Sequence, residues 1–306
     1  VHRPGWKART PRDSGAGWDF DDVRDHYVGR LFDVDPVALR SSDHERYLAL
    51  GRVATGEVMG SVFSEWRRGG SRTRGGLVLL FRDLWQGAGW GVVDASGRPK
   101  AAWYHLRRAL APRTVLMTDE GTNGLALHVV NDAPDPLEAR LDLSLYRGSV
   151  PVGQAGTDLS LPAHSTHETN AAALFDFWMD LTWAHRFGPP SHDVAVATLR
   201  SGAAVLGQAF HFPIGLPARR EAELGLSGTL RPGVDGSWEA TLRTERFAQS
   251  VRIEVEGFEP LDNYLHLAPG GERHTRLRPL GNDRTPPRGG ALHALNAETS
   301  APLVVL

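Results

Sequence analysis

The densest group of chemistry-capable side chains lies between Gly75 and Pro112, in GGLVLLFRDLWQGAGWGVVDASGRPKAAWYHLRRALAP. Leu77 to Phe81 is a continuous apolar run, the pattern of a β-strand buried on both faces as in a parallel sheet. Arg82, Asp83, Trp85 and Trp90 crowd its C-terminal end. A carboxylate there has two readings. It can hydrogen-bond a ligand or a catalytic neighbour, or it can pair with Arg82, Arg98 or a loop amide, the commoner fate of such an aspartate. Trp85 and Trp90 can stack on a ligand ring or simply pack. Gly91 to Val93 continue as a second strand, Asp94 to Pro99 turn, and Ala101 to Leu110 carry helical apolar spacing. A strand followed by a helix, with aromatics and charges at the strand's mouth, is how a (β/α)8 barrel builds its active face.

Other candidates carry less. Asp19, Asp21, Asp22, Asp25 and His26 form the acidic cluster WDFDDVRDH, a donor set that could suit a hard or borderline cation. Aspartates at a helix start are equally expected for capping and dipole reasons, and that reading is preferred. His44, His105, His128, His164 and His167 show no zinc-ligand spacing, and His185 is expected to pack near a strand end. Neither a nucleophile elbow nor a phosphate-binding loop is present. The basic run Arg67, Arg68, Arg72 and Arg74 reads as a solvated helix end.

The elements that position these residues change character near Pro112. Upstream the pattern is helical: Trp18 to Phe32 presents Phe20, Val23, Tyr27 and Leu31 on one face. Ser42 to Arg68 is the longest helix expected, with Ser42 and Glu45 as a capping box. Its apolar stripe is Leu48, Val53, Val58, Val62 and Trp66, and Gly69-Gly70 ends it. Downstream the pattern alternates. Leu125, Leu127 and Val129, then Leu137, Ala139, Leu141, Leu143 and Leu145, point every second residue inward. A second set covers Leu226 to Leu230, Trp238 to Thr244 and Val251 to Val255, after a linker at Ala218 to Glu221. Short strands separated by Asn, Asp, Pro and Gly turns predict two β-sandwiches in tandem.

The chain has 306 residues, enough for two or three domains, with 41% hydrophobic and 23% charged residues. A net charge of -2 gives no electrostatic case for nucleic acid or an anionic membrane. No apolar run is long enough to span a bilayer. Zero cysteines exclude disulfides and thiolate metal sites and are compatible with the cytoplasm. Lys7 and Lys100 are the only lysines among many arginines, which suggests a GC-rich bacterial genome.

Three motifs, in order and spacing, resemble glycoside hydrolase family 2, closest to its β-mannosidases. The barrel-closing motif of that family, G-A-L-V-W-Q-x-N-D-x-W-x-x-x-S-W-x-x-x-D-x-x-G-x-x-K-x-x-Y-Y, is matched by Gly75, Leu77, Val78, Asp83, Trp85, Trp90, Asp94, Gly97, Lys100 and Tyr104. Val130-Asn131-Asp132 resembles the start of the first sandwich after the barrel. Gly257-Phe258, Asp262 to Leu265 and Leu267 to Gly270 resemble the D-N-Y-F-x-L-x-P-G signature of the last sandwich. Departures stand beside the matches: Leu79 replaces the sugar-facing tryptophan, Leu80 the next polar residue, and Arg82 the asparagine.

The resemblance implies a multidomain fold: the C-terminal segment of a TIM barrel over 1–112, an immunoglobulin-like β-sandwich over 113–218, and a second over 219–306. It implies a parent enzyme that hydrolyses terminal β-linked sugars of oligosaccharides or glycosides with retention, without a cofactor, using two carboxylates about 5–5.5 Å apart. Asp83, Trp85 and Trp90 become substrate-binding candidates, with the tryptophans against a pyranose. The catalytic glutamates are expected upstream of Val1. The chain, which begins with Val1 rather than Met, is therefore read as the C-terminal part of a longer protein and as inactive alone. An alternative is a non-catalytic sugar- or protein-binding module of a degenerate glycosidase, which the loss of the tryptophan at Leu79 favours. An incomplete barrel exposing Leu77 to Phe81 is expected to aggregate.

Overall fold

The computed structural model describes residues 10–12, 14–73, 75–177, 179–182, 188–216, 219–281 and 285–306. The chain forms two compact units, Val1–Leu145 with Pro151–Leu216, and Tyr146–Val150 with Pro217–Leu306. No described helix is long and apolar enough to cross a membrane.

The first unit opens with four helices: α1 (Phe20–Phe32), α2 (Pro36–Ser42), α3 (His44–Arg67) and α4 (Ala101–Ala109). Asp19 caps α1 in a reciprocal box with Asp22. Asp35, followed by a proline in the first turn, starts α2. The capping box expected at Ser42 does not form. Ser42 ends α2 and donates to Ala38 O at 3.1 Å, and Asp43 caps α3 by accepting from the Arg46 amide.

The buried faces also differ from the apolar spacing. In α1 the core residues are Val28 and Phe32, because Asp21, Arg24 and Asp25 turn inward to ion-pair. In α3 they are Tyr47, Leu50, Val53, Ala54 and Phe63, so only Val53 of the expected stripe lies in the core, and Trp66 is exposed. Small residues set this face. A Cβ on Gly51 would lie 2.9 Å from the Arg24 side chain, and one on Gly56 2.6 Å from His105. The absence of a Cβ at these positions is what lets the neighbours seat so closely.

The β-region of this unit comprises β1 (Arg113–Asp119), β2 (Leu125–Asn131), β3 (Leu137–Arg147), β4 (Val150–Leu161), β5 (Ser165–Asn170), β6 (Val194–Ser201) and β7 (Ala204–His211). They make a three-stranded sheet, β1-β2-β5, and a four-stranded sheet, β4-β3-β6-β7. Leu127 and Val129 from one sheet share a core with Leu141, Leu143, Ala197 and Leu199 from the other, which is a sandwich. The alternation of β3 is as expected, with all five inward residues buried.

The second unit contains β8 (Ser227–Pro232), β9 (Trp238–Arg243), β10 (Ala248–Glu254), β11 (Phe258–Pro260), β12 (Leu265–Leu267), β13 (Glu272–Pro279), β14 (Gly290–His293) and β15 (Ala301–Val305). They form one sheet of order β11-β13-β9-β8-β15-β14-β10-β12, in which β15 runs parallel to β8. Strands from along its whole length share one core of Leu230, Leu242, Val251, Leu265, Leu277 and Leu303, so the sheet curls over it. Ala218 of the expected linker and His185 lie outside the described residues.

A partial (β/α)8 barrel is not visible among the described residues. The helix expected after the turn is α4, but Leu77–Phe81 is not a strand. Leu77 is 98% exposed and Phe81 67%, and Leu80 takes a left-handed φ of 64° that breaks the extended run. A segment apolar on both faces needs a sheet neighbour at each edge. Here the run makes a single described rung, from Val93 N–H to Phe81 O at 3.0 Å.

Candidate functional site

The candidate loop starts from two short backbone attachments. Asp83 N–H donates to Val93 O at 3.0 Å, and Lys100 N–H to Val92 O at 2.9 Å. Asp94 folds the intervening turn by accepting from the Ser96 hydroxyl (2.6 Å) and the Ser96 and Arg98 amides (2.8 and 2.9 Å). Burial pushes the Asp94 carboxyl up, but these hydrogen bonds outweigh it and hold the group below the usual carboxylate range.

Asp83 sits at the centre of this loop with a side chain only 7% exposed. Its Oδ1 accepts from the Gly91 amide at 2.8 Å, and its Oδ2 pairs with the Lys100 ammonium. Lys100 Nζ also donates to Gly89 O at 3.1 Å. Glycine is required at both contact points: a Cβ on Gly89 would lie 2.4 Å from Asp83 Oδ1, and one on Gly91 2.6 Å from the Asp83 amide nitrogen. Of the pairings expected for Asp83, the loop amide is present. Lys100, seventeen positions downstream, was matched in sequence only as a motif letter, and the two glycines carried no signal beyond loop composition.

The two tryptophans diverge. Trp85 is 60% exposed beside Leu84. Trp90 is half-buried and meets Phe20 of α1 edge-on, with ring centroids 4.9 Å apart. The loop thus brings Asp83 and Trp90 into one packed corner and leaves Trp85 on its outer side. With the Lys100 ammonium against its Oδ2 and the Gly91 amide on its Oδ1, Asp83 is held in a structural ion pair.

The acidic cluster near the N-terminus serves structure. Asp21 pairs with Arg24 at 3.0 Å; Asp25 pairs with Arg24 and Arg40 and accepts from the Tyr47 hydroxyl at 2.8 Å. Desolvation pushes the Tyr47 phenol up to about 12 despite the opposing pull of Arg24, and the Asp25 hydrogen bond reinforces the rise.

A second polar network links the end of α3 to the sandwich. Arg68 donates to Glu120 at 2.6 Å, Thr118 donates to the same carboxylate at 2.6 Å, and His128 Nε2 lies 2.8 Å from the Thr118 oxygen. Because Thr118 spends its proton on Glu120, His128 is the donor in that contact, and its Nδ1 faces Glu168 at 3.3 Å. Burial lowers the His128 pKa although Glu168 and Glu120 pull it upward; His211 is lowered by burial too. The hydrogen bonds from Thr118 and Arg68 hold Glu120 below its ordinary value. Groups with folded-state pKa values below their unfolded ones bind fewer protons folded than unfolded, so their stabilisation is present at neutral pH and lost on acidification. Thermal stability is therefore expected to fall as pH drops below the ordinary histidine value of about 6.5, by up to about 1.4 kcal/mol per pH unit for each titrating group. Melting curves from pH 7 to 5 check this, and His128→Gln should flatten them. A wild-type curve that is level or rises towards pH 5 contradicts the assignment.

The asparagines of the two downstream motifs are buried amides. Asn131 accepts from Arg113 Nε at 3.2 Å and donates to Asp135 O and Pro162 O, each at 2.9 Å. Asn263 accepts from the Ile253 and Tyr264 amides at 2.7 and 2.9 Å, standing in for a strand rung beside β10.

In sequence, the chain is similar to β-mannosidase B of Aspergillus flavus, 30% identical over 136 residues that cover 43% of this chain and 16% of that protein. It is 35% identical over 101 residues to β-mannosidase B of Aspergillus niger, covering 32% and 12%. No family model matches. In structure it is similar to a β-D-mannosidase from Dictyoglomus thermophilum, with a TM-score of 0.72 at 17% identity over 90% of this chain and 32% of that one. An exo-chitosanase from Amycolatopsis orientalis aligns with a TM-score of 0.69 at 13% identity over 97% and 39%. The matched stretch is thus about a sixth or less of the curated relatives' length. The chain is β-mannosidase-like, in agreement with the resemblance to glycoside hydrolase family 2 carried by its motifs.

Proposed function

We propose that this β-mannosidase-like chain is the C-terminal portion of a retaining glycoside hydrolase that removes terminal β-linked sugars from oligosaccharides or glycoconjugates. The observation that carries the reading is the coincidence of three motifs, in order, with a fold likeness over nine-tenths of the chain. In this reading Leu77–Phe81 is the last barrel strand, and the loop after it, with Asp83, Trp85 and Trp90, forms one wall of the sugar pocket. The two glutamates that act as nucleophile and acid/base lie upstream. The reaction needs no cofactor, and the enzyme is cytoplasmic.

The test compares p-nitrophenyl β-D-mannopyranoside hydrolysis by the parent protein and by the 306-residue chain. Saturable turnover by the parent, and none by the chain, is expected. Turnover by the chain alone would contradict the placement of the glutamates. A second reading, a binding module of a degenerate glycosidase, is favoured by Leu79 at the position of the sugar-facing tryptophan. An inert parent that still binds mannosides would select it.

A further inference from the structure

The geometry points to Asp83 and Lys100 as a pair of positioning residues that fix the tryptophan-bearing loop Leu84–Trp90, with Asp83 acting through the loop rather than as a ligand for sugar. The inference rests on the reading of this loop as a pocket wall and assigns its specificity to a clasp.

Three observations carry it. First, both carboxylate oxygens of Asp83 are engaged inside the protein: Oδ1 by the Gly91 amide and Oδ2 by the Lys100 ammonium. A side chain 7% exposed with both oxygens occupied offers little to a hydroxyl arriving from solvent. Second, Lys100 holds two ends of the loop together, pairing with Asp83 at its start and donating to Gly89 O near its end. Lys100 occupies the N-cap position of α4 without a side-chain cap bond. A cation at the positive end of a helix dipole is unfavourable unless an anion stands beside it, and Asp83 is that anion. Third, the loop closes over Asp83 so tightly that Gly89 has no room for a Cβ, which would sit 2.4 Å from Oδ1. Between the clasped ends, the chain projects Leu84 and Trp85 outward and turns Trp90 onto Phe20. The orientation of the aromatic wall therefore depends on one ion pair and one amide hydrogen bond.

The experiment uses the 306-residue chain labelled with 5-fluorotryptophan. Trp85→Phe and Trp90→Phe assign the two loop resonances. Asp83→Asn and Lys100→Met should each shift or broaden both loop signals, leave the Trp238 signal of β9 in place, and combine non-additively, since either change opens the same clasp. Lys100→Arg, which keeps a cationic donor, should restore most of the wild-type spectrum. Gly89→Ala should reproduce the open-clasp spectrum without changing any charge. Should Asp83→Asn fail to fold, Lys100→Met and Gly89→Ala carry the test. Loop signals that stay put in these variants overturn the clasp, as does loss of mannoside affinity in the parent protein carrying Asp83→Asn with unmoved loop signals, which would make Asp83 a direct ligand. A parent without glycosidase activity whose loop signals still move refutes the proposed function and leaves the clasp standing.

Discussion

Replacing Asn131 with leucine should destabilise the first sandwich by about 2–4 kcal/mol, enough to lower its melting temperature by roughly 5–15 °C. Asn131 is fully buried at the end of β2. Its amide satisfies the carbonyls of Asp135 and Pro162 and the Arg113 guanidinium, so one side chain ties β1 to two loops. Leucine is close in size but can neither donate nor accept, so three hydrogen bonds are lost at once, leaving Asp135 O only the Arg113 guanidinium at 3.3 Å and Pro162 O only the Ser165 hydroxyl at 2.7 Å. Each buried amide hydrogen bond contributes about 0.5–1.5 kcal/mol net and the one from the charged Arg113 about 1.5–3 kcal/mol, which together make the loss larger than deletion of a surface hydrogen bond. Asn131→Asp distinguishes hydrogen bonding from shape. It keeps the acceptor for Arg113 but removes both donors, and it should cost nearly as much. Urea unfolding followed by circular dichroism reads both values; a leucine variant within 0.5 kcal/mol of wild type, on the order of a surface change, would refute this role.

The second large effect concerns solubility. Leu77, Leu79, Phe81, Leu84 and Trp85 are all more than half exposed within nine residues. Contiguous apolar surface of this kind is rare on monomers and drives association. Leu77→Ser, Leu79→Ser and Phe81→Ser combined should raise the monomeric fraction of the isolated chain several-fold in size-exclusion chromatography and lower dye binding to apolar surface. The melting temperature should move by no more than about 2 °C, because these side chains contribute little to the folded units. If the triple variant associates as strongly as wild type, the exposed run is not what holds the molecules together.

The same run marks the boundary of what local sequence can convey. The inward leucines of β3 were legible because alternation in a half-buried strand depends only on a residue's own face. Leu77–Phe81 was legible as a hydrophobic segment but not as the conformation seen, since a strand exists only with its partners, and Leu80 turns left-handed where none pairs with it. In α3 the apolar stripe gave the wrong face because Gly51 and Gly56 bury by accepting neighbours, a property invisible to hydrophobic spacing. At the candidate loop, Asp83 and both tryptophans stood out by type and spacing. Lys100 and Gly89 did not, because their contacts with Asp83 and with each other close only once the Asp94 turn has folded. The motif asparagines at 131 and 263 could be matched but not explained until their amides were seen to replace missing rungs.

In the proposed enzyme the apolar run from Leu77 to Phe81 is a strand of a sheet completed by the rest of the parent protein. Amide hydrogen exchange across residues 77–81, measured in the parent and in the isolated chain, tests it directly. Protection by several orders of magnitude in the parent, against near-free exchange in the chain, is expected. Equally fast exchange in both would mean that no neighbouring strand takes up this segment, and the placement of the loop at a barrel mouth would fall with it.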